Sequence, residues 1–116
     1  MKIDEIAQII RTRVSSRANN EAAIHEAIKT LVKARELPKA SHEWAFEDGD
    51  RVDFFIRASG IAIEVKVAGN VGAVARQLFR YEAQPTVKGL ILVTNRRYEV
   101  DGLFKKPFAQ VCLFYA

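Results

Sequence analysis

The chain is 116 residues long with a formal net charge of +4, which bounds one domain with a modest core. It is 49% hydrophobic and 28% charged, ordinary for a soluble globular domain, without low-complexity tracts or the repeats of a solenoid. No apolar run is long enough to span a membrane. The start "MKIDEIAQII" carries acids where a secretory leader needs a basic, uninterrupted apolar stretch, and the one cysteine, Cys112, cannot form an intramolecular disulfide. The expectation is an intracellular, cytoplasmic protein with no membrane partner, with Cys112 a small buried hydrophobe. The basic balance gives mild support to a polyanionic partner.

Residues 2–14 place Ile3, Ile6, Ile10 and Val14 at helical spacing, ending at Ser15 and Ser16. A second helix begins after the capping residues Asn19 and Asn20 and is expected to run on to the break at Pro38. Its apolar stripe is Ile24, Ile28 and Leu31; Glu21 lies on that stripe and Glu26 well round from it. Three strand-like segments follow at 42–47, 51–57 and 61–67, separated by the turn signals "DGD" and "ASG". A third helix over Val71 to Ala83 turns Val71, Val74, Leu78 and Tyr81 inward. "KGLILVT" (88–94) reads as a strand buried on both faces, and "FAQVCLFYA" (108–116) as the last strand. The crossover helix requires the strand at 88–94 to run parallel to an earlier one.

Within "IAIEVKV", Ile61, Ile63, Val65 and Val67 share the core face, which leaves Ala62, Glu64 and Lys66 on the other. That second face is either ordinary solvated surface or a site. A turn over Arg57 to Gly60 pairs Ile56 with Ile61, and counting back brings Asp53 opposite Glu64. Opposed residues have Cβ atoms about 5 Å apart, and like charges there cost about 0.2–1 kcal/mol. A divalent cation removes that cost, since Mg²⁺ is commonly held by one or two carboxylates. Lys66, two positions on, projects beside them, where an ammonium helps to position a water or to stabilise charge on a phosphate oxygen.

An acid on one strand of a hairpin followed by Glu-x-Lys on the next, here Asp53 and then Glu64, Val65, Lys66, resembles the signature of the PD-(D/E)XK nuclease superfamily. The resemblance extends from Glu21 to about Thr94, the order matching that family's αβββαβ core. Two further features strengthen it: Glu21 matches the family's glutamate on the helix before the strands, and Gln77 and Tyr81 in "QLFRY" match the Gln-x-x-x-Tyr of the RecB-like branch. The residue before Asp53 is Val52 where the family motif has proline, and His25 and Glu26 are alternatives to Glu21 as the helix ligand.

The resemblance implies an α/β fold of restriction-endonuclease type, a mixed central sheet flanked by helices. Residues 1–16 would be an N-terminal helix, 20–95 the catalytic core and 96–116 an extension carrying the last strand. It implies a Mg²⁺- or Mn²⁺-dependent nuclease acting on DNA, RNA not being excluded, structure-selective or of low sequence specificity and leaving a 5′ phosphate. Asp53, Glu64, the Val65 carbonyl and Glu21 would serve the metal, Lys66 the attacking water, and Gln77 with Tyr81 would orient the site or the substrate strand. His25, Arg76, Arg80, Arg96 and Arg97, with Lys105 and Lys106, are candidates for phosphate contacts, against solvated surface for the arginines and lysines and a structural role for His25. A homodimer is expected, burying the first helix and the aromatic last strand with Phe108, Phe114 and Tyr115. The rival classes are a catalytically silent relative binding nucleic acid or protein, and a basic RNA-binding domain whose carboxylates are surface charges.

Overall fold

A computed structural model describes residues 1–113. The elements in order are α1 (Ile3–Arg13), α2 (Glu21–Lys33), β1 (Ser41–Ala45), β2 (Arg51–Ile56), β3 (Ile61–Lys66), α3 (Val71–Glu82), β4 (Gly89–Thr94) and β5 (Phe108–Cys112). The last strand thus stops short of its expected end, and Phe114 and Tyr115 lie outside the described residues.

The strands form one mixed sheet in the order β1-β2-β3-β4-β5. β1, β2 and β3 are a meander of two antiparallel hairpins, whereas β4 runs parallel to β3 and β5 parallel to β4. The first crossover is α3, as the chain order requires. The β2–β3 turn falls where expected, Ile56 pairing with Ile61. Gly60 closes it at φ +75°, and a Cβ there would stand 2.6 Å from Lys88 Cγ and 2.7 Å from the Thr86 carbonyl, so only glycine fits.

Helices cover both faces. On one, Ile6 and Ile10 of α1 and Ile24, Ile28 and Leu31 of α2 pack against Phe54, Ile56, Ile63, Val65, Ile91, Val93 and Val111. On the other, Val74, Leu78 and Tyr81 of α3, with Tyr98 and Val100 from the β4–β5 connection, pack against Val52, Phe55, Ala62, Leu90 and Leu92. Each fully buried Ile, Leu or Phe contributes about 1.5–3 kcal/mol of transfer free energy, so neither layer is dispensable. β3 is therefore covered on both sides, which corrects the expectation that the Ala62–Glu64–Lys66 face is distinct from the core: Ala62 and Glu64 are buried and only Lys66 is half-exposed.

The helix starts follow from their caps. Asn20 and Asn70 accept hydrogen bonds from the Ala23 and Ala73 amides, each at 2.8 Å. α2 ends four residues short of Leu37, because Arg35 takes a left-handed conformation (φ 62°) and the Glu36 and Leu37 amides turn back to the Leu31 carbonyl. That turn returns Leu37 to the core beside α2, burial that an uninterrupted helix would forfeit. Val71 is exposed, not inward-facing, since the first turn of α3 stands clear and Val74 is its first buried residue. Cys112 is half-buried on the edge strand β5. The apolar stripe of α1 packs inside the chain against β4 and β5. Among the described residues no helix is long and apolar enough to cross a membrane.

Candidate active site

The β2–β3 ladder is regular from Ile56–Ile61 to Phe54–Ile63 and then stops. At the next pair, side chains replace main-chain partners: the Asp53 amide donates to Glu64 Oε1 (3.3 Å) and the Val65 amide donates to Asp53 Oδ2 (2.8 Å). The count from the turn that brought Asp53 opposite Glu64 therefore holds. A strand residue's carbonyl lies on the same edge as its amide, so the Val65 carbonyl also faces this gap.

The parting has a cause in β1 and β2. His42 packs on Phe54, with ring centroids 4.8 Å apart, while Trp44 stacks on Phe55 at 5.6 Å, on the opposite side of the sheet. Residues two apart in a regular strand share a face, so β1 turns over between them, at Glu43, whose φ is 56°. β2 turns over opposite, at Asp53, with Val52 in the α3-side core and Phe54 in the α1/α2-side core. The register is unchanged on either side, and the Glu43–Asp53 pair alone drops out of the ladder. Asp53 is thereby released from both neighbouring strands.

Glu64 is 4% exposed. Burial first, and the Asp53 charge second, push its carboxyl up to about 9, with Lys66 opposing the shift. Lys66 Nζ lies 3.8 Å from Glu64 Oε2. Asp53, Glu64 and Lys66 thus converge on the gap instead of splaying to opposite sides of the sheet. With both carboxyls ionised, as a bound cation requires, the pair would carry more negative charge than one ammonium offsets, and its donors are all oxygens, the set that a hard divalent cation takes.

On the α2 side a cavity of about 360 Å³ opens at Asp53, lined by Glu21, His25, Glu26, His42 and Glu43. Glu21, at the first position of α2, is half-buried on its wall, and exposed Glu26 pairs with Lys29. His25 stands between two partners, Nδ1 2.8 Å from His42 Nε2 and Nε2 3.5 Å from Asp53 Oδ2. His42 and Glu43 are not singled out by the sequence patterns. The same cross-strand counting applied to the β1–β2 hairpin would have set Glu43 opposite Asp53.

The remaining site residues lie on the α3 side. Tyr81 is fully buried; its hydroxyl donates to the Arg51 carbonyl (2.6 Å) and accepts from Gln77 Nε2 (2.8 Å). Burial, then the charge of Glu64, hold that hydroxyl protonated far above the ordinary phenol range. This pair fixes the backbone of β2 two residues before Asp53 and hydrogen-bonds neither carboxylate. Arg76 is exposed, Arg80 pairs with Asp50, and Arg97 pairs with Asp101. Arg96 donates to the Gly69 carbonyl and lies 4.9 Å over the Tyr98 ring. Lys105 is exposed, but the Lys106 ammonium donates to the Glu82 and Gln84 carbonyls, a structural use that removes it from the phosphate-binding candidates. None of these cations lines the cavity at Asp53.

Comparison with protein-family models, curated proteins and solved structures gives no match.

Proposed function

We propose that this chain is a divalent-cation-dependent nuclease that hydrolyses DNA phosphodiester bonds, on a core of the restriction-endonuclease type. The observation that carries the reading is the convergence of Asp53, Glu64 and Lys66 where the β2–β3 ladder parts. The fold agrees with it at the level of an α/β mixed sheet with helices on both sides.

Asp53, Glu64 and the Val65 carbonyl would hold Mg²⁺ or Mn²⁺, which supplies a Lewis acid at the scissile phosphate and makes water a stronger nucleophile at neutral pH. Glu21, across the cavity, adds a carboxylate from the α2 side. Lys66 donates a hydrogen bond to the attacking water and then faces the charge growing on the non-bridging phosphate oxygens. The water oxygen bonds to phosphorus as the water gives up a proton to solvent, the bond to the 3′ oxygen breaks, and that oxygen takes up a proton from solvent, leaving a 5′ phosphate. Gln77 and Tyr81 act at one remove, by holding β2 so that Asp53 faces Glu64.

Nicking of supercoiled plasmid in Mg²⁺ tests this. Wild type is expected to cleave, and Glu64→Gln and Lys66→Ala to lose about 10³-fold or more. Equal activity in wild type and both variants, or none in wild type with any substrate form in Mg²⁺ or Mn²⁺, overturns it and favours a silent binding domain.

A further inference from the structure

We infer that His25, His42 and Glu43 form a second metal site, for a zinc-class transition metal, distinct in chemistry from the carboxylate pair and adjoining it at Asp53. Among the described residues these three alone form a group of His, Cys, Asp or Glu side chains able to hold a metal, their ligand atoms all within 4.8 Å of one another. They line the cavity beside Asp53, so an ion has a way in.

The atoms are arranged for it. His42 Nε2 lies 2.8 Å from His25 Nδ1 and 3.6 Å from Glu43 Oε1, so one imidazole nitrogen is common to both contacts. A tetrahedral ion with bonds of about 2.1 Å sets its ligands about 3.4 Å apart, so the histidines need to open by only about half an ångström. Two imidazoles and a carboxylate suit Zn²⁺, Co²⁺ or Mn²⁺ rather than Mg²⁺, which prefers oxygen. Solvent completes the shell, since His42 and Glu43 are part-exposed, with side-chain exposures of 33% and 46%.

The outer contact fits as well. With Nδ1 on the ion, His25 carries its proton on Nε2, which faces Asp53 Oδ2 at 3.5 Å, the histidine–carboxylate arrangement that orients metal-bound imidazoles. The left-handed backbone at Glu43 has a role here too. It turns β1 over so that His42 faces α2 and His25, where a regular strand would place it on Trp44's side. The site stands whether or not the chain cleaves DNA.

Co²⁺ titration at neutral pH, read by visible absorption, tests the assignment, with Zn²⁺ competition by calorimetry. With excess Mg²⁺ present to occupy the carboxylate pair, the expected result is one Co²⁺ per chain with a d–d band of nitrogen and oxygen ligation, displaced by Zn²⁺. His42→Ala and Glu43→Gln should each weaken it by at least tenfold, while Glu64→Gln leaves it in place. The Glu43 side chain is exposed, so Glu43→Gln decides should His42→Ala fail to fold. No band in wild type, or a band unchanged in Glu43→Gln, overturns the proposal; loss in Glu64→Gln alone would assign the ion to the carboxylate pair instead.

Discussion

The two ends of the β2–β3 hairpin are built from the same two strands and could hardly differ more. At the turn end, Phe54–Ile63, Phe55–Ala62 and Ile56–Ile61 pair in regular register, every side chain buried and apolar. One residue further on, Asp53 and Glu64 meet, the ladder gives way to side-chain contacts, and a carboxyl is held near 9 by burial and a neighbouring charge. The apolar end supplies stability that offsets the strain of the carboxylate end. A pair of acids so placed persists only where the rest of the hairpin over-determines the register.

Breaking the apolar end should have the largest effect on folding. Phe54→Ala removes a ring packed against α2 and His42 and is expected to cost about 3–5 kcal/mol, measured by denaturant unfolding. The carboxylate end should behave oppositely. Glu64→Gln is expected to raise stability by about 1–3 kcal/mol at pH 8 in chelator while losing cleavage. The sign follows from linkage. Below pH 4.5 the carboxyl is protonated in both folded and unfolded chains; between 4.5 and about 9 the unfolded chain has lost a proton that the folded chain keeps. Wild-type stability should therefore fall as pH rises through that window, and thermal melts of Glu64→Gln should lack that component of the slope.

Smaller effects sharpen the contrast. Tyr81→Phe leaves the Arg51 carbonyl without its donor and should cost about 1–2 kcal/mol, with cleavage falling through misplacement of Asp53 and Mg²⁺ affinity falling with it. Arg80→Ala breaks an exposed pair with Asp50 and should change stability by less than about 1 kcal/mol in the same unfolding assay.

Much of this contrast is legible in the amino-acid sequence. The hairpin register follows from counting residues back from "ASG", and the parallel β4 from an apolar run after a crossover helix. What the sequence conceals is set by backbone geometry with no residue marker. Arg35 and Glu43 adopt positive φ without being glycine, so neither the early stop of α2 nor the turn-over of β1 can be read from composition. Strict alternation places His42 on Trp44's face, and hence away from His25; the fold puts it 2.8 Å from that ring. Lys106 has the pattern of a surface cation because its partners, the Glu82 and Gln84 carbonyls, lie more than twenty residues away in sequence.

The most direct test of the carboxylate pair is the proton count on Mg²⁺ binding at pH 8, from calorimetry in two buffers of different ionisation enthalpy. Imidazole ligands bind Mg²⁺ poorly, so the second site stays silent. The account predicts about one proton released per ion in wild type, because Glu64 must ionise to bind, and none in Glu64→Gln. No uptake of Mg²⁺, or uptake with no proton released, would contradict it.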